Sequence, residues 1–331
     1  MKAALFKEYG IPLNIENVAE PKDGIILRVL GTGLCHGDVH LIFGDWKYDI
    51  KINTPRILGH EIIGEVVSGN TKSLERGDMV LVYNAVGCMN CKYCKIGHYQ
   101  YCENVNIIGL HLDGGYAEYV KVPSERNLLK VEGNPIELAP LADAGITAYN
   151  SVKGISEDDN VLLVGTSYVS LLALQILKNR RTKVAVVGRN LSKLSKFKEI
   201  GADEIIPLKS NSVGQAVGEI SSLYKFDYII DYVGNNTTLT DLPWLLRNEG
   251  ELRIVGEFGG VLNIPEQLLV LRGIKVKGIL YGTYDDLLGV YELYSKKVIK
   301  TFPIPYSLNE INQAINDVAN GKIFGRAIII P

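Results

Sequence analysis

Four of the chain's five cysteines, Cys88, Cys91, Cys94 and Cys102, sit in one short stretch, spaced Cys-x2-Cys-x2-Cys-x7-Cys. Such clustering favours a metal over a disulfide framework. Four thiolates complete the tetrahedral shell of zinc and leave no position for water or substrate, so the lobe at about 86–103 is predicted to be structural. An iron–sulfur cluster also uses four thiolates, and buried free thiols are the alternative without metal. The fifth cysteine lies in Gly33-Leu34-Cys35-His36-Gly37-Asp38-Val39-His40, which sets one thiol, one carboxylate and two imidazoles in eight residues. Twenty-five residues beyond Cys35, His60 stands in Gly59-His60-Glu61. A cysteine and a distant histidine can share one zinc.

Around these clusters the chain reads as short β runs at 25–30, 62–68 and 79–83, with a turn at Arg76-Gly77-Asp78, and returns to β character over 114–122. This patterning predicts a mostly antiparallel β domain whose loops carry function. A helix-rich segment over 137–150 holds Asp143, which on the residues alone reads as a helix-terminal or solvent-facing carboxylate. After residue 155 the texture changes. Apolar strands at 161–164 and 183–187 alternate with helices at 170–179 and 192–201, and strands at 205–206, 228–232, 252–255 and 275–280 follow. Helices at 285–295 and 308–320 and a strand at 327–330 close the chain. The alternation predicts an α/β domain with a doubly wound parallel sheet. Two cores suit 331 residues better than one, and 47% hydrophobic residues fill both.

Directly after the first strand of that sheet, Gly165-Thr166-Ser167-Tyr168-Val169-Ser170 takes the place of a Gly-x-Gly-x-x-Gly fingerprint. Only the first glycine, which makes the tight turn, is present; the second and third normally admit the pyrophosphate and the close packing of helix on strand. The motif alone leaves dinucleotide binding and a plain α/β turn both open. At the end of the second strand, Gly188-Arg189 puts glycine where an NAD site carries its ribose-binding acid. No carboxylate stands there to repel a 2′-phosphate, and Arg189, helped by Lys193, can pair with one, which favours NADP over NAD. The alternative is a solvated basic helix start.

A formal net charge of −2 argues against a surface dedicated to nucleic acid or anionic membrane. No apolar run reaches the roughly 20 residues of a membrane span, and the start, Met1 to Lys7, is charged too early for a signal peptide. The expected location is cytoplasmic and the expected partners are small molecules.

In this order the motifs resemble, nearly end to end, the zinc-dependent alcohol dehydrogenases of the medium-chain dehydrogenase/reductase superfamily. The resemblance implies a GroES-like, mostly-β catalytic domain over 1–144 and 282–331 and a Rossmann cofactor domain over 145–281. Residues 33–40 are similar to the family's first zinc-ligand loop, Gly59-His60-Glu61 to its Gly-His-Glu motif, and the four clustered cysteines to its structural-zinc lobe. The segment from Leu141 to Tyr149 resembles the one that often supplies a third ligand as cysteine; here it offers Asp143. The implied catalytic zinc is therefore held by Cys35, His60 and Asp143, with Glu61 beside it and able to exchange with water.

By the same resemblance Asp38 accepts a hydrogen bond from His60, His36 lies beside the cofactor phosphates, His40 is the outer member of a proton relay, and Arg326 contacts the cofactor. The turn Gly165, Thr166, Ser167, Tyr168, Val169, with Gly188, Arg189 and Lys193, would bind the nucleotide. The family's chemistry passes hydride between an alcohol or carbonyl carbon and a nicotinamide, with zinc as Lewis acid; one catalytic and one structural zinc per chain and a homodimer or homotetramer are implied. Gly37 departs from the pattern, standing where similar enzymes carry a serine or threonine that passes on the alcohol proton. A water or the cofactor ribose would have to bridge to His40, and the glycine would enlarge the pocket. A polyol or sugar dehydrogenase is the nearest rival, opposed by Trp46, Tyr48 and Tyr83 as aromatic pocket walls. A non-catalytic nucleotide-binding protein is the other, opposed by the full zinc set and Arg189.

Overall fold

Strand Ile25–Gly33 is the spine of the first half of the protein, pairing antiparallel with Glu61–Ser68, Tyr119–Val122 and Arg326–Ile330. Our computed structural model describes residues 1–46, 52–209, 212–223 and 225–331. Within it the chain divides into two compact units: Met1–Ile146 with Tyr281–Leu293 and Lys300–Pro331, and Thr147–Leu280 with Tyr294–Ile299.

The first unit's larger sheet runs Leu128–Lys130, Met79–Val82, Glu61–Ser68, Ile25–Gly33, Arg326–Ile330, Pro303–Ser307, and only the last pair is parallel. Ile25, Leu27, Val29, Ile62, Val80 and Val120 fill its core. The register sets Gly33 opposite both Glu61 and Ile328. Three distant pieces of sequence thereby end side by side: the loop leaving Gly33, the start of the strand after His60, and Arg326.

The loop runs into helix His36–Phe43. Cys35 is its N-cap in a capping box with Asp38, and Gly44, at φ +78°, closes the other end. Val39, Leu41 and Ile42 bury against Leu308, Ile311, Ala314 and Ile315 near the C-terminus. Burial of three such side chains contributes on the order of 6 kcal/mol, enough to fix a helix too short to persist alone.

The second unit is a six-stranded parallel sheet in the order Glu204–Pro207, Lys183–Gly188, Asn160–Val164, Phe226–Asp231, Leu246–Ile254, Lys275–Gly278. This is the doubly wound order with its switch point at Asn160–Val164. Helices cover both faces, so all five residues of that strand are buried and its sequence is a continuous rather than an alternating apolar run. Helices Val213–Ile220, Asn236–Leu245 and Glu266–Arg272 add to those expected from the sequence. Among the described residues no helix is long and apolar enough to cross a membrane.

Candidate metal sites and cofactor turn

Cys35, His60 and Asp143 come together although 108 positions separate the first from the last: their donor atoms lie within 4.8 Å of one another. Asp143 therefore faces inward, not into solvent as its residues alone suggested. Its Oδ2 is 3.7 Å from His60 Nε2. Burial and the Asp143 charge push the Cys35 thiol up, and Arg326 and His60 pull it back. A thiol that must ionise to bind a metal thus faces a carboxylate across a half-buried site, an arrangement that a cation between them would stabilise. Three ligands of this chemistry with one position left open fit a catalytic zinc.

Asp38 anchors the centre. It is wholly buried and accepts from the Cys35 amide at 3.2 Å and from the Tyr116 hydroxyl at 2.7 Å, both on Oδ2. Its other oxygen, Oδ1, lies 3.3 Å from His60 Nδ1, and neither of those two atoms has a hydrogen-bond partner. The two orphans face each other, and a hydrogen bond between them would fix the ring with Nε2 on the side of Asp143. Burial depresses the imidazole, but Asp38, Asp143 and Cys35 together raise it well above its ordinary value. Tyr116 was not foreseen: a tyrosine in a predicted strand gave no sign that its hydroxyl reaches a carboxylate 78 residues earlier.

Glu61, also wholly buried, accepts a two-pronged hydrogen bond from Arg326, with Nε to Oε2 at 2.7 Å and Nη2 to Oε1, and a third bond from the Ala144 amide at 3.1 Å. Arg326 Nη2 also donates to Asp143 Oδ2 at 3.3 Å. Burial pushes the Glu61 carboxyl up, and the bidentate Arg326 guanidinium pulls it back towards the ionised form. Asp143 would rise with burial too, but His60, then Arg326, hold it well below the usual carboxylate range. The guanidinium expected beside the cofactor is thus engaged with two carboxylates of this cluster. Gly33 makes the arrangement possible, because a Cβ there would sit 1.7 Å from Glu61 Oε2.

His40 is 9% exposed, and its Nδ1 lies 3.3 Å from Asp45 Oδ2. His36 is one turn earlier, half-buried, its ring centre 5.1 Å from that of His40. The space beside Gly37 is not empty: a Cβ there would touch the Trp46 six-membered ring at 3.3 Å and Cys35 Sγ at 3.7 Å. Tyr83, expected as a pocket wall, is fully buried, donates to the Gly282 carbonyl at 2.8 Å and packs on Tyr281. Tyr48 lies outside the described residues.

The second metal group is Cys88, Cys91, Cys94 and Cys102, whose sulfurs are all within 4.8 Å of one another. Zinc–sulfur bonds of about 2.3 Å need sulfur–sulfur edges of roughly 3.8 Å, which this cage accommodates. The Cys88 and Asn104 amides donate to Cys102 Sγ at 3.3 and 3.4 Å, and the Cys94 amide to Cys91 Sγ at 3.5 Å. The Cys94 amide lowers Cys91 to about 6, whereas burial pushes Cys94 up to about 12. Only a cation shared among them lets all four ionise together.

In the second unit Gly165, at φ +97°, turns the chain from strand to helix, and a Cβ there would meet Val233 at 2.8 Å. Ser167 caps helix Tyr168–Asn179 by accepting from the Ser170 amide. Ser170 is fully buried and donates to the carbonyls of Gly165 and Ser167 at 2.8 and 2.9 Å. The serine in the third glycine's place stays small and ties the turn shut. Thr166 and Val169 are half-buried on this turn, and Tyr168 is buried. Gly188 has a packing reason of its own, since a Cβ there would lie 2.8 Å from the Thr166 methyl. Arg189 is exposed and makes no ion pair among the described residues; Lys193 is half-buried, and burial lowers its ammonium.

Residues 21–133 match the family model of the alcohol dehydrogenase GroES-like domain, and residues 169–296 that of the zinc-binding dehydrogenases. An NAD-dependent alcohol dehydrogenase of Sulfurisphaera tokodaii is 31% identical over the full length of both chains. A D-arabinose 1-dehydrogenase (NADP(+)) of Saccharolobus solfataricus is 32% identical, covering all of this chain and 97% of the relative. The crystal structure of an alcohol dehydrogenase from the hyperthermophilic archaeon Aeropyrum pernix superposes over all of both chains with a TM-score of 0.93 at 32% identity. With its GroES-like and Rossmann domains and its two metal-type clusters, the chain belongs to the zinc-type alcohol dehydrogenases of the medium-chain dehydrogenase/reductase superfamily, nicotinamide-dependent enzymes that interconvert alcohols and carbonyls.

Proposed function

We propose that Cys35, His60 and Asp143 hold the catalytic zinc, that Cys88, Cys91, Cys94 and Cys102 hold a structural one, and that the cofactor preferred is NADP. The observation carrying this reading is the convergence of a thiol, an imidazole and a carboxylate on one point, with Asp38 behind the imidazole. Zinc there supplies a Lewis acid and the nicotinamide supplies or accepts the hydride. The chain's own residues do the rest. Asp38 fixes the ring of His60; Arg326 and the Ala144 amide hold Glu61 beside the ligands; His40 takes up the proton that leaves the alcohol, helped past Gly37 by a water or the cofactor ribose. In the second unit the Gly165 turn and the helix start at Tyr168 receive the pyrophosphate, with Thr166, Ser167 and Val169 around it. Arg189 and Lys193 face the 2′-phosphate, His36 serves the phosphates, and Arg326 contributes through its hold on Glu61 and Asp143. The proposed catalytic domain comprises 1–144 and 282–331 and the cofactor domain 145–281.

A sugar substrate is the second reading, favoured by the likeness to an NADP-dependent D-arabinose dehydrogenase. Zinc content per chain, with turnover of NADPH and NADH across small aldehydes, ketones and aldopentoses, tests both. Two zincs and faster turnover of simple carbonyls with NADPH are expected; one zinc or NADH preference overturns the corresponding part, and preference for pentoses moves the reading to sugars. The chain is further proposed to act as a cytoplasmic homodimer or homotetramer. Its sheet ends in Lys275–Gly278, whose four residues are all exposed, and the preceding helix leaves Val270 and Leu271 at 76% and 80% exposure. Such an open edge is normally covered; a monomer in light scattering would overturn this.

A further inference from the structure

We propose that Asp45 is a positioning residue for His40, holding its ring in the tautomer that accepts the substrate proton at Nε2 and linking it to solvent. The inference rests on His40 being the proton acceptor. Helix His36–Phe43 ends at Gly44, whose left-handed conformation sends the next residue back over the last turn. The Asp45 amide consequently donates to the His40 carbonyl at 2.8 Å, and its carboxylate arrives 3.3 Å from Nδ1 of the same residue. His36, one helical turn away, also faces the ring.

The pair spans a boundary. His40's side chain is 11% exposed and that of Asp45 is 61% exposed. An acceptor-only carboxylate beside Nδ1 requires a hydrogen on that nitrogen, which leaves Nε2 as the basic one. A triad aspartate orients its histidine by the same logic, and the carboxylate also stabilises the imidazolium once it forms. When an alcohol is oxidised, its hydroxyl proton enters at Nε2 and the proton on Nδ1 leaves through the Asp45 carboxylate to water. Exchange with solvent restores the starting tautomer. In the reductive direction the proton moves from the ring to the carbonyl oxygen. The hydride goes to or from the nicotinamide, so no further oxidant or reductant is needed.

The test uses the zinc-loaded enzyme, with Asp45→Asn, Asp45→Glu, Asp45→Ala and His40→Ala. With five histidines in the chain, selective 15N labelling resolves the His40 tautomer in the cofactor-free protein. Wild type is expected as Nδ1–H, and Asp45→Asn as a mixture. Turnover should fall about three- to tenfold in Asp45→Asn with KM unchanged, since a screened, exposed carboxylate contributes less than a full acid–base group. Asp45→Glu should recover most of it, and added formate should rescue Asp45→Ala. An unchanged tautomer in Asp45→Asn, or turnover equal to wild type while His40→Ala is impaired, overturns the role of Asp45 alone. Full turnover in His40→Ala overturns both this role and the relay beneath it.

Discussion

Replacing Arg326 with methionine removes the charge while keeping most of the volume. Glu61, with no exposed surface, then loses both guanidinium donors and keeps the Ala144 amide, and Asp143 loses its contact at 3.3 Å. Removing one partner of a buried ion pair costs about 3–5 kcal/mol, because the remaining charge keeps its desolvation penalty without its compensation. Replacing both partners is far cheaper. Glu61→Gln with Arg326→Met is therefore expected to lose only about 1–2 kcal/mol, less than the sum of the two single losses, and a double-mutant cycle reads that shortfall as their coupling. Urea denaturation measures it, provided the right unit is observed. The chain has two tryptophans, Trp46 in the first unit and Trp244 in the second, so a Trp244→Phe background lets fluorescence report the unit that holds the pair. A shift in midpoint at constant slope gives the loss directly. Should Arg326→Met cost less than about 1 kcal/mol, the pair does not carry the buried charge and the account of this cluster fails.

Cys102→Ser should lower the zinc content by one per chain and increase cleavage within 86–103, as read by elemental analysis and limited proteolysis; an unchanged metal count would show that the cage is not a zinc site. Arg189→Ala should weaken NADPH about tenfold while leaving NADH unaltered in a titration of both, as expected for losing one charge-assisted phosphate contact; equal effects on the two would remove the basis for NADP selectivity. Gly37→Ser should perturb Trp46, because a Cβ arrives 3.3 Å from its ring. A changed Trp46 emission and an altered ratio of turnover between bulky and small secondary alcohols are expected, at a stability cost below about 1.5 kcal/mol.

The features legible in the sequence were those whose physics is local. A four-thiolate cage is written by spacing, and Asp38 stands three residues from Cys35, close enough for one helical turn to join them. The βαβ rhythm was plain because buried parallel strands are uninterrupted apolar runs. Helices Val213–Ile220 and Asn236–Leu245 were hidden by Gly214 and Gly218 in one and Pro243 in the other, residues that lower helix propensity but are overridden here by burial of Val213, Val217, Leu239 and Leu242. Partners created by sheet register were invisible. Nothing local in Tyr116, in the Ala144 amide or in Arg326 announces that Asp38, Glu61 and Asp143 need them, since those contacts exist only once Gly33 is paired with Glu61 on one side and Ile328 on the other. Tyr83 shows the opposite error: an aromatic residue near a site is cheaply read as a wall, and here it seals a core.

The charge arrangement explains why these parts occur together. Asp38, Glu61, Asp143 and the Cys35 thiol are four acidic groups in one largely buried cluster, and each is directed to a different counterpart. Asp38 faces the imidazole of His60, while Glu61 is matched by the guanidinium of Arg326. That pairing leaves the thiol and Asp143 as the charge a divalent ion would neutralise, with only a glancing contact from Arg326 on the carboxylate. A carboxylate in the third ligand position offers Arg326 a second acceptor that a cysteine sulfur would not match in geometry. Asp143 and Arg326 are in this sense one choice: exchanging the aspartate for cysteine would take the Oδ2 acceptor from the guanidinium, so the exchange should cost more in this chain than metal chemistry alone predicts.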